Sequence, residues 1–502
     1  MSEQKRLDTS VNRGLAWIGI ASSLVGVLDL LAILIILNTW VSKAEYGIAT
    51  MCIWIFPILD QATDLGLSSA VIQKDDHSES KISTVFWINL GTASVLFVLL
   101  LIIAPIVGTQ IGYPIVGWML VVYGTKLLFQ NLYFIPVAMM KRELRFKELS
   151  VIRVIANLAE FFGKIGFAAA GFGIWCFVLG PMCRVFVTGV GAQMRHPWRP
   201  KMILRISEAK EYISFGLKTS ASQILFYFYT NVDYPIVGAF FGKEALGLYR
   251  LAFEVVLEPV RMISNVIVDI AFPAFARLRH TKDRLIAQFV SFTRLNLITV
   301  MTYSAIVLVA AEDVISVIFP GYVGAEPAIR ILCIVAVLRA VSFVVPPLLD
   351  GVGRPERTFK YTLTAAVALP LSYIGGAWLL GPSLGFVSVA VAWAIGYPIA
   401  FAVLVFMATA TLEWSVMKYL RSVSGVAACM VAAGIVAFGT HRLLGGLPPW
   451  ARLSITAGVV VLVTGLLLAY TQGISLRTAK RALSADSGSP PPAIDAGVDA
   501  GG

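Results

Sequence analysis

The stretch Ser42-Lys43-Ala44-Glu45-Tyr46-Gly47-Ile48 reappears 200 residues later as Gly242-Lys243-Glu244-Ala245-Leu246-Gly247-Leu248, with Lys43/Lys243 and Gly47/Gly247 in register. Each copy leads into a long apolar run. About fourteen such runs can be marked along the 502 residues, at roughly 15–37, 46–72, 83–107, 115–139, 150–170, 172–193, 213–240, 245–275, 288–310, 328–349, 361–380, 387–408, 422–440 and 453–470, several near the ~20 residues that cross ~30 Å of hydrocarbon. The two copies open the second and the eighth. That spacing implies two six-helix halves inserted in the same orientation, the parallel-repeat arrangement of secondary transporters, whose substrate sites lie between the halves.

Composition agrees. With 58% hydrophobic and 14% charged residues and a mean hydropathy of +0.81, a soluble fold could not cover its apolar surface, so the fold class is an all-α polytopic membrane protein. The first apolar run is too long for a cleaved signal peptide and begins an array of others. The net charge of +11 belongs to topology and not to nucleic acid. Of the 40 basic residues, 26 lie in alternate connections: Lys5/Arg6/Arg13, Lys74/Lys81, Lys141/Arg142/Arg145/Lys147, Arg195/Arg199/Lys201/Arg205/Lys210, Arg277/Arg279/Lys282/Arg284, Arg354/Arg357/Lys360, Lys418/Arg421 and Arg477/Lys480/Arg481. The opposite connections carry only Lys43, Lys243, Arg442 and Arg452. Basic residues near span ends stay on the cytoplasmic side, which predicts that both termini are cytoplasmic.

The organisation that follows is an N-terminal six-helix bundle (1–194), a cytoplasmic linker (195–212), a C-terminal six-helix bundle (213–410), accessory helices 13 and 14 (411–475) and a disordered cytoplasmic tail (476–502), the last rich in Pro, Ala, Gly and Asp. Connections this short hold no globular catalytic domain. No GxxxxGK[ST] loop is present, which argues against an ATP-driven pump. Cys52, Cys176, Cys183, Cys333 and Cys429 all fall in apolar runs without CxxC spacing, and they read as small buried hydrophobes, not disulfides or zinc ligands. His77, His196, His280 and His441 fall in connections, so no histidine relay is expected inside the membrane. No metal or cofactor is called for, and no enzyme.

Ten basic residues remain inside or at the edges of apolar runs, where each mid-span charge costs roughly 2.5–3.5 kcal/mol. Arg153, Asn157, Glu160 and Lys164 share one helical face, as do Arg250, Glu254, Glu258 and Arg261. Asp60 and Asp64 stand four apart; Lys218 and Asp233 lie at opposite ends of span 7; Lys126, Arg184 and Arg339 are near mid-span. Lys126, Lys164, Arg184, Arg261 and Arg339 are candidates for gripping an anionic headgroup, and Asp60, Asp64, Glu160, Asp233, Glu254 and Glu258 for coupling to H+ or Na+. The competing reading is that these groups pair with each other and tie helices together, as Glu160 and Lys164 can. Arg294 and Arg330, near span ends, are expected to snorkel to the interface. Asp29 stands too isolated to assign.

Tyr46-Gly47, Asp64-Leu65-Gly66-Leu67-Ser68-Ser69-Ala70-Val71-Ile72-Gln73, Lys141-Arg142-Glu143-Leu144-Arg145-Phe146, Gly171-Phe172-Gly173-Ile174-Trp175, Asn231-Val232-Asp233, Gly247-Leu248-Tyr249 and Phe272-Pro273-Ala274-Phe275 come in an order that resembles the polysaccharide transporter family of bacterial inner membranes. That family includes the lipid-linked oligosaccharide flippases and belongs to the multidrug/oligosaccharidyl-lipid/polysaccharide exporter superfamily. The likeness covers approximately residues 10–410. It implies two six-helix bundles around a central V-shaped cavity, with an accessory helix pair outside the repeat, and movement of undecaprenyl-diphosphate-linked repeat units for exopolysaccharide, capsule or O-antigen synthesis, alongside membrane lipids and a polysaccharide polymerase as partners. A drug or metabolite antiporter of the same superfamily, driven through the carboxylates, is the alternative. A membrane polymerase or ligase fits less well, because the outer connections offer no base and nucleophile pair.

Overall fold

The computed structural model describes residues 24–73 and 78–473, and these are helical with short connections. The basic residues expected before span 1, Lys74, the tail from 476 onward and the side chain of Lys218 lie outside the described residues. Nine stretches among the described residues are long and apolar enough to cross a membrane. The chain is therefore a multi-pass membrane protein. It divides into two compact units between Gly247 and Leu248.

The first unit holds α1 (Leu24–Thr39), α2 (Lys43–Ile53), α3 (Phe56–Asp64), α4 (Leu67–Gln73), α5 (Glu79–Gln110), α6 (Pro114–Arg142), α7 (Phe146–Phe167), α8 (Cys176–Arg195), α9 (Ile206–Asn231) and the start of α10 (Asp233–Leu278). Ser42 begins α2 with a capping box: its hydroxyl accepts from the Glu45 amide, and the Glu45 carboxylate accepts from the Ser42 amide at 2.9 Å. The run expected at 46–72 is not one helix but three. Pro57 sits in the first turn of α3, and the left-handed pair Leu65 (φ 48°) and Gly66 (φ 68°) ends it. Periodicity cannot see a break whose flanks are equally apolar.

At ~1.5 Å per residue the 50 residues of Phe146–Arg195 would reach ~75 Å, more than twice the hydrocarbon thickness. The chain instead turns at Gly171 (φ 86°) and Gly173 (φ 52°), and α7 and α8 pack as a hairpin. Gly242 (φ 80°) breaks α10 in the same way, where spans 7 and 8 were expected to separate.

The two copies of the repeated heptad touch. A methyl group added at Gly47 would lie 1.8 Å from the Lys243 carbonyl oxygen, and one at Gly247 would lie 1.9 Å from that of Lys43. This reciprocal crossing brings two backbones closer than any side chain permits. A second crossing joins the α3–α4 break to α9, where a methyl at Gly66 would lie 2.3 Å from the Gly216 carbonyl oxygen. Beside it, Leu67, Val71, Val85, Phe86, Ile135 and Tyr212 form an apolar core. The segment leading into α9 is fastened to α5: Trp87 Nε1 donates to the Lys201 carbonyl at 2.8 Å and the Arg205 amide to Thr84 Oγ1 at 3.0 Å. Glu208 accepts from Ser80 Oγ at 2.7 Å and Arg205 Nη1 at 3.0 Å, and these donors hold its carboxyl below the usual carboxylate range.

The second unit continues α10 and adds α11 (Lys282–Val309), α12 (Ala311–Ile318), α13 (Glu326–Gly351), α14 (Pro355–Leu384), α15 (Val387–Thr411), α16 (Val416–Leu443) and α17 (Pro449–Gln472). Helix α13 runs between α11 and α15, while α16 and α17 pack on α11. Arg294 does not snorkel: it is buried, and its Nε donates to the Ser422 carbonyl of α16 at 2.7 Å. A helix carbonyl can accept a second hydrogen bond, so the buried guanidinium finds a partner there without reaching the interface. His441 lies within α16 and not in a connection; its Nδ1 is 3.0 Å from Thr456 Oγ1. Its other nitrogen is 3.7 Å from Asp313, which is fully buried and bound by Arg452 of α17.

Candidate functional site

Two charged groups of the first unit come together from helices far apart in sequence. Asp60 of α3 meets Lys126 of α6: Lys126 Nζ donates to Asp60 Oδ1 at 2.8 Å and Oδ2 at 2.7 Å. Tyr123, one turn before Lys126, accepts from Nζ at 2.6 Å and donates to Asp60 Oδ2 at 2.9 Å. The Tyr123 ring stacks on Phe56 with centroids 3.5 Å apart, which fixes the phenol beside the ion pair. Lys126 is 3% exposed and Asp60 35%, so the lysine is committed while one side of the carboxylate is accessible.

The second group centres on Glu160 of α7, nearly all of which is buried. It takes Lys164 at 2.7 Å on its own helix and Arg184 of α8 at 3.1 Å. Lys164 also reaches Asp29 of α1 at 3.4 Å. Gly180 permits this, because a methyl there would lie 2.4 Å from the Lys164 side chain. Arg184 is within electrostatic range of Asp60, Tyr123 and Asp29 as well as Glu160, and the two groups form one network. Three cations face three carboxylates, so their formal charges cancel.

The structure thus brings Lys126, Lys164, Arg184, Asp60 and Glu160 together and adds Asp29, which stood too isolated in the sequence to assign and here pairs with Lys164, and Tyr123, which the sequence did not single out. Tyr123 had a signal, since it lies three residues before Lys126 on the same helical face. Asp64 ends α3 at the α3–α4 break, where it accepts from the Ser68 hydroxyl and, at 3.3 Å, from the Ser68 amide in the first turn of α4. Asp233 is fully buried in the first turn of α10, where the helix dipole favours an anion. Of the face shared by Arg153, Asn157, Glu160 and Lys164, Arg153 is exposed while Asn157 and Glu160 are buried.

In the second unit the α10 stripe pairs along its own helix. Arg250 binds Glu254, and Arg261 binds Glu258 at 2.5 Å with half of the arginine side chain exposed. Arg339 of α13 is 8% exposed. Its guanidinium lies 5.4 Å from the Trp393 ring centroid and 5.6 Å from that of Phe343. No carboxylate among the described residues pairs with it, and the electron-rich faces of the two aromatic rings attract the guanidinium instead.

A partly buried, self-neutralised network of lysine, arginine and carboxylate has the chemistry to exchange partners with an anionic ligand. Comparison with known proteins gives that chemistry a context. The chain is 25% identical over 429 residues to the teichuronic acid biosynthesis protein TuaB of Bacillus subtilis (strain 168), covering 84% of this chain and 88% of that one. It is 24% identical over 391 residues to the lipopolysaccharide biosynthesis protein WzxC of Escherichia coli (strain K12), covering 75% and 77%. Among solved structures it resembles the lipid II flippase MurJ in an inward closed conformation, with a TM-score of 0.71 at 13% identity over 90% of this chain and 97% of that one, a likeness of fold. Residues 36–324 match the family model described as polysaccharide biosynthesis protein, more than half the chain, and the chain belongs to that family.

Proposed function

We propose that the protein is a flippase which carries undecaprenyl-diphosphate-linked saccharide repeat units across a bacterial inner membrane by alternating access, a transporter and not a catalyst. The observation that carries this reading is the meeting of Lys126, Lys164 and Arg184, from three different helices, in a multi-pass member of a polysaccharide biosynthesis family. A diphosphate needs several cationic donors at once, and lysine and arginine supply them. TuaB and WzxC are named for teichuronic acid and lipopolysaccharide biosynthesis, and MurJ, alike in fold, is named a lipid II flippase, which supports this reading. Moving about two negative charges outward across an inside-negative membrane gains roughly 4–5 kcal/mol per 100 mV, so the potential alone can drive the step.

Within this reading the termini face the cytoplasm, the halves run over 1–194 and 213–410, and helices 13–14 are accessory. The carboxylates interleaved with the cations favour one second reading, a cation-coupled antiporter. The two separate by genetics. In a strain lacking the gene, lipid-linked repeats are expected to accumulate on the inner leaflet and surface polysaccharide to be lost. Plasmid-borne Lys126→Ala or Arg184→Ala is expected to restore less than a tenth of it. Normal arrival of the repeat at the outer leaflet in the deletion strain would overturn the proposal, and export kept when the cations are neutralised but abolished when the carboxylates are would favour the antiporter.

A further inference from the structure

We infer that Asp29 and Asp60 are resident counter-ions which the diphosphate headgroup displaces, so that ligand binding and release of α1 and α3 from their neighbours are one event. This rests on the reading that the first unit takes the headgroup. The geometry separates the three carboxylates into two kinds. Glu160 is buried, shares a helix with Lys164 and is held by two cations, so it has nowhere to go. Asp60 and Asp29 have side chains 35% and 46% exposed, and each is held by a single cation. They also belong to different helices from the cations they hold: Asp60 of α3 on Lys126 of α6, and Asp29 of α1 on Lys164 of α7.

With charges cancelling, the network offers an incoming anion no net attraction while all three carboxylates stay in place. A diphosphate presents the same kind of acceptor oxygens to Lys126 and Lys164 that the two aspartates present. Taking their places, it leaves the cations satisfied and frees two carboxylates that are already partly solvated. The exchange removes the α3–α6 and α1–α7 ion pairs. A ligand shifts a conformational equilibrium only through contacts that differ between the two states, and these two links supply that difference. Return of the aspartates to Lys126 and Lys164 then expels the headgroup, which lets the same site bind and release.

The test is binding of undecaprenyl diphosphate to the full-length protein in nanodiscs, with turnover read separately from surface polysaccharide in cells. Asp60→Asn keeps an acceptor for Lys126 and Tyr123 while removing the competing charge. It and Asp29→Asn are each expected to tighten binding by roughly tenfold, and to lower export because release slows. Binding that is unchanged or weaker in both variants, with the unaltered protein binding normally, would overturn the inference. Should Asp60→Asn fail to fold, Asp29→Asn decides alone, since its contact is longer and more exposed. No binding of undecaprenyl diphosphate by the unaltered protein would instead overturn the functional reading beneath it. As a second readout, spin labels on α3 and α6 are expected to move apart when undecaprenyl diphosphate is added; a distance that does not change would contradict the exchange.

Discussion

Alanine at Gly47 is expected to lose most export activity and to lower the thermal stability of the purified protein, and alanine at Gly247 is expected to do the same. Either methyl group would meet a carbonyl oxygen at under 2 Å, with no flexible side chain to yield. The two backbones must separate, and overpacking of this kind costs about 1–3 kcal/mol or more. Reciprocity sharpens the test. Once one alanine has parted the helices, the second meets open space, so the double variant should be little worse than either single one, a non-additivity measurable by a mutant cycle. Gly91 and Gly458 have nothing within 4 Å of an added methyl, and alanine there is expected to be neutral or to stabilise by up to ~1 kcal/mol. Additive losses at Gly47 and Gly247, or none, would contradict the crossing.

Arg452→Ala is expected to be the most destabilising single change in the second unit. It leaves the fully buried Asp313 with only His441 at 3.7 Å, and removing one partner of a buried ion pair costs about 3–5 kcal/mol. The contact links α12 to α17, so limited proteolysis should cut the 444–448 connection faster in the variant. Replacing both partners with apolar residues, Asp313→Leu with Arg452→Met, is expected to recover most of the loss, because no unpaired charge stays buried. A double variant as unstable as Arg452→Ala would show that packing, not charge, holds α17.

Hydropathy made the long helices legible. The hairpins α5–α6, α14–α15 and α16–α17 each consist of two apolar runs flanking a short turn, and no other arrangement satisfies the backbone in lipid. The break at Leu65–Gly66 was harder to see, whereas the one within α10 falls where spans 7 and 8 were expected to separate. Gly242 carries a signal, but Leu65 in the left-handed region does not, since its conformation is imposed by the crossing beside it. The site was legible residue by residue and not as pairs. Lys126 and Asp60 are 66 positions apart, and which carboxylate meets which cation depends on helix rotations that periodicity leaves free. Glu160–Lys164 was readable because both share a helix. Arg294 and His441 depart from their expected places because a position near a span end in sequence is near water only where no other helix covers it, and α16 covers Arg294 while α17 covers His441.

The most direct test is transbilayer movement of undecaprenyl-diphosphate-linked oligosaccharide in proteoliposomes of the purified protein, read by accessibility of the lipid to an enzyme added outside. The expected result is movement well above protein-free vesicles, accelerated by an inside-negative potential and abolished by Lys126→Ala with Arg184→Ala. Movement at the protein-free rate, or equal movement in the doubly substituted protein, would contradict the assignment of those cations to the headgroup.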